Sequence, residues 1–201
     1  MRILYLHQHY STPSGALPGR SHAFAAALAA RGHEVTLFCG RHEGAEAGTD
    51  APFRRGRREA EVAGYRVVQA DIPYANAMSP AERARAFARY AARATAIAVG
   101  RRWELVIASS TPLTVALPML AAKRARRTPA LFEVRDRWPE LPQAMGALSR
   151  PAAHALGRLE RAALRAADAV VALSPGAARG CIAAGADPSL VAMIPNGCDR
   201  G

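Results

Sequence analysis

An α/β domain, built on a parallel sheet of about seven strands with helices on both faces, is the fold class that this sequence predicts. Three observations predict it. Short apolar runs without polar alternation recur from RILYLH at 2–7 to VAMIP at 191–195, and strands of that kind are buried on both faces, as in parallel sheets. Between them lie stretches with apolar residues at helical spacing, the crossovers that parallel strands need. The 201 residues, 50% of them hydrophobic, suffice for a core that hides roughly 70% of the unfolded surface. Such an alternation is Rossmann-like.

The elements follow in order. RILYLH (2–7) is a buried strand, a Ser/Pro/Gly loop covers 11–19, and RSHAFAAALAARG is a helix stopped by Gly32. EVTLFC (34–39) is the second strand. The polar segment from Arg41 to Glu61, rich in Gly, Arg and Glu, reads as a mobile surface loop, and YRVVQADI (65–72) as the third strand. Residues 80–102 are expected to form a long helix, with Phe87, Tyr90, Ala94 and Ile97 on one face and arginines on the other. That pattern suits an ordinary surface helix or one lying on a membrane. ELVIAS (104–109), ALFEV (130–134), AVVALS (169–174) and VAMIP (191–195) supply four more strands, with helices over 112–126, 150–167 and 175–184 between them. The closing Pro-Asn-Gly is a turn that normally leads into another element. The domain is therefore expected to span 1–195, with 196–201 starting a hinge toward a second domain.

Composition narrows the function classes. The N-terminal apolar run is too short for a signal-peptide core, and TVALPMLAA at 114–122 falls far short of the ~20 residues that cross a bilayer. A soluble cytoplasmic protein is expected, or one peripheral on the inner face of the plasma membrane. Cys39, Cys181 and Cys198 are odd in number and lack metal-ligand spacing, which reads as reduced thiols. The net charge of +11 comes from 26 arginines and a single lysine, Lys123, a skew attributable to a GC-rich gene. Arginines cluster at 54, 55, 57 and 58, at 101 and 102, and at 124, 126 and 127. Such clusters are solvated surface or attract phosphates. Lacking interleaved aromatics, they do not suit a single-stranded nucleic acid, and no nucleic-acid partner is expected.

Ligands on parallel sheets bind outside the carboxyl ends of the strands, so the segments just after each strand are the candidates. The first loop, HQHYSTPSGALPGR, lacks both G-x-G-x-x-G and the P-loop pattern, which disfavours a dehydrogenase-type dinucleotide site. Gly15 and Gly19, followed by Arg20 at the helix start, either let backbone N–H groups approach a phosphate or sugar or simply form a tight turn. His7 and His9, two apart at a strand end, could face one side; further metal ligands are not evident, so His9 is a substrate contact or structural, and no metal is assigned. Ser110 and Asn196 follow two further strands. In FEVRDRWPELPQAMG (132–146), an apolar strand delivers Glu133, Arg135 and Asp136 to the rim. Arg135 and Asp136 can hold a hydroxyl-rich or phosphorylated ligand, Asp136 accepting from sugar hydroxyls; the alternative is a structural ion pair.

RILYLHQHY, LAARGHEVTLFCG, FEVRDRWPE, ADAVVALSPG and IPNGCD, in this order, resemble the N-terminal domain of the family 4 glycosyltransferases. These are retaining nucleotide-sugar enzymes of the GT-B fold, and the likeness is to the subgroup that builds bacterial polysaccharides and adds amino sugars. The resemblance implies one half of a GT-B fold, the half that binds the acceptor, with a nucleotide sugar as co-substrate on a second domain and no cofactor or metal. It places the loop around Gly15 and Gly19 near the donor phosphates, Arg135 and Asp136 at the acceptor and reacting sugar, and Asn196 at the hinge. Arg135 stands where many members carry His. A saccharide or polyprenyl-linked acceptor, an anionic membrane surface as a further partner, and little activity from the 201 residues alone are the resulting expectations. The other reading is a non-catalytic module that binds acceptor or membrane.

Overall fold

A computed structural model describes residues 1–17, 19–136 and 149–197. The described residues form an eight-stranded sheet: β1 (Arg2–Leu6), β2 (Glu34–His42), β3 (Arg57–Val62), β4 (Tyr65–Tyr74), β5 (Leu105–Ser110), β6 (Ala130–Val134), β7 (Ala169–Ala172) and β8 (Val191–Met193). The spatial order is β3-β4-β2-β1-β5-β6-β7-β8. All neighbours are parallel except β3 and β4. The helices are α1 (Arg20–Ala30), α2 (Pro80–Gly100), α3 (Ala116–Arg126), α4 (Arg150–Ala166) and α5 (Pro175–Ala183). The order reverses at β1, so the first loop and the ends of β2 and β5 flank a switch point.

Strand alternation sorts the core into two layers. Leu4, Leu6, Phe38, Val106 and Phe132 point to one face, where Tyr90, Met119, Leu164 and Cys181 of α2 to α5 cover them. Ile3, Tyr5, Val35, Leu37 and Ile107 point to the other, where Ala25 of α1 is buried against them. At the start of α2, the Ser79 side chain accepts from Glu82 N while the Glu82 carboxylate accepts from Ser79 N, with Pro80 in the first turn. This reciprocal cap fixes where the longest helix begins. As its spacing indicates, α2 buries Tyr90 and Ala94, with Phe87 and Ile97 partly buried beside them.

The segment expected to be a loop from Arg41 to Glu61 contains structure at both ends. β2 runs on to His42, and Arg57–Val62 forms an edge strand antiparallel to β4. Ala63 and Gly64, at φ +47° and +79°, make the two-residue turn that a tight hairpin requires. The strand reads RREAEV, with exposed residues alternating with partly covered ones, and only Ala60 and Val62 pack on the α1-side core. Charge is how an edge strand avoids pairing with other chains, and the same charge disguises it as a loop. The helix expected over 112–126 starts instead with a 3₁₀ turn, Leu113–Val115. The whole WPELPQAMG run, 138–146, lies outside the described residues, within 137–148, as does Cys198. Cys39 and Cys181 are both buried. Among the described residues no helix is long and apolar enough to cross a membrane.

Candidate functional site

The rim beyond β1, β2, β5 and β6 holds a cleft of about 350 Å³, lined by His7, His9, Leu17, His42, Thr111, Arg135, Asp136, Leu173 and Asn196. It therefore gathers His9, Arg135, Asp136 and Asn196 from the residues the sequence singles out. Thr111 and His42 come with them, each next to a strand end and detectable in sequence only by that position.

Arg135 and Asp136 are set by β6 and the end of β5. Arg135 N donates to Ser110 Oγ at 3.1 Å, and the Thr111 hydroxyl donates to Asp136 Oδ2 at 2.5 Å. Ser110 is buried, so it acts beneath the cleft and does not line it. Asp136 is exposed, which leaves the rest of its carboxylate open to a ligand hydroxyl.

Arg135 Nη1 lies 2.9 Å from His7 Nε2. A guanidinium can only donate, so Nε2 accepts and the ring proton sits on Nδ1, which donates to Ser21 Oγ at 2.5 Å. Burial, and then the Arg135 charge, hold His7 well below the ordinary histidine value, so it stays neutral and can keep accepting. His7 thus aims Arg135 into the cleft. The other wall is aromatic. His9 lies 4.5 Å from Tyr74 and 4.9 Å from His42 between ring centroids, and Tyr74 stacks on Phe87 at 5.4 Å. Burial, followed by His42 and Arg135, lowers His9 to about 3, and its buried Nε2 has no hydrogen-bond partner among the described residues. A neutral ring beside Tyr74 suits the apolar face of a sugar better than a charged group. Among the described residues, no group of three or more His, Cys, Asp or Glu could hold a metal ion.

Three other candidates stand outside the cleft wall. A Cβ on Gly15 would fall 2.2 Å from Ser11 Oγ and 2.7 Å from Glu46 N, so this glycine lets the first loop press against the 44–46 loop. Gly19 caps α1 with open space around it, the nearest atom being 3.9 Å away. Arg20 turns inward: Nε donates to Glu133 Oε1 at 2.8 Å, Nη1 to Pro195 O at 2.9 Å, and Nη2 to Ile194 O at 2.8 Å. Glu133 is correspondingly buried, accepting also from Ser109 Oγ at 2.5 Å and from the Tyr5 hydroxyl at 3.3 Å. The sequence places Glu133 on the rim, whereas the structure pairs it with Arg20 inside, because a carboxylate leaves water only against a charge partner.

The sequence model of the glycosyl transferase 4-like domain family matches residues 18–197; the chain belongs to that family. A search of the curated proteins found no match. Among solved structures, sucrose-phosphate synthase from Thermosynechococcus elongatus superposes with a TM-score of 0.69 at 14% identity, over 98% of this chain and 48% of that one. A shorter form of the same synthase gives 0.58 at 15% identity, over 98% and 90%. HepE from Anabaena, in complex with UDP and glucose, gives 0.47 at 18% identity, over 99% and 45%. The likeness to the synthase shows the fold, that of the GT-B glycosyltransferases. The chain spans about half the length of the full synthase.

Proposed function

We propose that this chain is the acceptor-binding half of a retaining glycosyltransferase, which moves a sugar from a nucleotide-sugar donor to a saccharide or lipid-linked saccharide. The observation that carries the reading is the exposed Asp136 carboxylate, fixed by Thr111 and set beside an Arg135 that His7 orients, in a cleft with an aromatic wall. Asp136 accepts a hydrogen bond from the reacting acceptor hydroxyl and aims it. Arg135 faces the growing negative charge, and the His9–Tyr74 wall carries the acceptor ring. In transfer with retention, negative charge develops on the departing diphosphate and must meet preorganised donors; the leaving phosphate can itself take the hydroxyl proton. The diphosphate cradle belongs to a donor-binding domain, reached through the hinge at Asn196, so residues 1–201 alone should turn over little or no substrate. No metal is assigned a role.

The test is Asp136→Asn in the protein carrying both domains. Loss of the carboxylate that orients the reacting hydroxyl costs roughly 10²-fold in rate, so kcat/KM should fall about 100-fold with the melting temperature nearly unchanged. Unaltered turnover would overturn the reading. The exposed Arg85 and Arg89 of α2 support a second element of the proposal, a cytoplasmic location with docking on the anionic inner leaflet. Co-sedimentation with anionic vesicles that persists after both are changed to Gln would remove that element.

A further inference from the structure

A second concave surface lies away from the cleft, on the β3 edge. It encloses about 670 Å³ and is lined by Pro52, Arg54, Arg55, Arg57, Arg58 and Glu59. Arg54 and Arg57 exchange backbone hydrogen bonds, Arg54 N to Arg57 O at 2.8 Å and Arg57 N to Arg54 O at 3.1 Å. The two residues between them, Arg55 and Gly56, have φ of +51° and +75°. Arginine in that conformation is strained, and strain of this sort persists only where the surroundings enforce it.

The surroundings do. Arg93 of α2 donates to Gly56 O at 2.6 Å, and Asp71 N donates to the same oxygen at 2.9 Å. Arg58 is held by Gln69 Oε1 at 2.7 Å and lies 4.7 Å over the Phe53 ring, with Arg41 5.8 Å from the same ring. Glu59 is shared between Arg57 and Arg66. Among the described residues, the Arg54 and Arg55 guanidinium groups have no ion-pair or hydrogen-bond partner. Several like charges on one fixed turn repel one another, and two of their forks are left open. Forks of this geometry match phosphate oxygens in pairs.

Position ties this surface to the cleft. Arg57 pairs with Ala70 of β4, and β4 continues to Tyr74, which pairs with His42 in the cleft wall. At about 3.3 Å per residue along a strand, the turn lies roughly 10–15 Å from Tyr74 along β4. We propose that the arginine turn is an anion subsite that takes the phosphate-type group of an acceptor whose sugar end occupies the cleft. This rests on the reading of the cleft as the acceptor site, and selects from its candidate acceptors those carrying an anion well beyond the accepting sugar.

The intact chain, an Arg54→Gln/Arg55→Gln variant and an Arg102→Gln/Arg124→Gln control would be titrated with inorganic pyrophosphate at low salt. In parallel, each would be sedimented with phosphatidylcholine vesicles containing phosphatidylglycerol. The expected result is saturable pyrophosphate binding that weakens about tenfold in the turn variant and less than twofold in the control, since both lose the same net charge. No saturable binding, or equal weakening in both variants, would overturn the proposal. So would a turn variant that loses only vesicle binding, which would make the surface a bilayer contact. Because the titration needs no turnover, it can succeed while Asp136→Asn fails to slow transfer, separating the anion site from the reading of the cleft.

Discussion

At the scale of single residues, the cleft is organised by histidines that must stay neutral. His7 can accept from Arg135 only without a second proton, and His9 is stacked among Tyr74, His42 and Phe87. Both are lowered, mainly by burial, as is His22. An unfolded histidine titrates near 6.5, so below that pH the unfolded chain takes up protons that the folded chain refuses. Stability is therefore complete above about pH 6.5 and declines as pH falls, by up to about 1.4 kcal/mol per unit for each of the buried His7 and His9, and by less for the more exposed His22. For His9 the decline continues toward its folded value of about 3. Urea midpoints should drop steadily from pH 7 to pH 5, above the range in which most carboxylates titrate. His9→Phe, which keeps the ring contact but cannot titrate, should give a shallower slope; a slope equal to the parent's would mean that His9 is protonated in the folded chain.

At the scale of elements, the first loop is held less by its own turn than by a second loop. Thr12 N and Ala16 N donate to Glu46 O and Gly44 O, both at 2.8 Å, while Glu46 N donates to Ser11 Oγ at 3.1 Å. Gly15→Ala should therefore cost about 1–3 kcal/mol, the range for overpacking a site whose neighbours cannot yield, because one of the atoms in its way is backbone. Gly19→Ala, with room for a Cβ, should cost less than about 1 kcal/mol through a poorer cap. Denaturant unfolding separates the two, and equal costs would show that the 44–46 loop gives way. The contrast marks what was legible in the sequence. Apolar strands and the Phe87–Tyr90–Ala94–Ile97 stripe declare themselves locally, through period and composition. Strand β3 does not, because its charged edge imitates a loop and its pairing depends on β4. Glu133 does not either: its apolar neighbours suggest a rim charge, and its actual partner, Arg20, stands 113 residues away in sequence.

At the scale of the whole molecule, that same pair joins the first loop to the segment 194–196. Strand β8 is three residues long, pairs among the described residues with β7 alone, and leaves Met193 52% and Ile194 41% exposed. Little apolar burial holds it, so the Arg20 bonds to Ile194 O and Pro195 O, with Nη1 reaching Asn196 Oδ1 at 3.3 Å, are a large part of what fixes the segment. Arg20 can make them because Glu133 neutralises it in a site where both side chains are under a tenth exposed. Arg20→Ala would strand a buried carboxylate, for which roughly 3–5 kcal/mol is the usual cost, and would free 194–196. Arg20→Lys keeps the charge but loses the fork, and so should release the segment at a smaller cost in stability. Amide hydrogen exchange would be followed at residues 192–196 in both variants, with the strand β1 amides as the internal reference. Faster exchange at 192–196 in Arg20→Lys while β1 stays protected would establish the clamp. Exchange that rises only in step with global unfolding would show that the ion pair supports the core alone and does not fix residues 194–196.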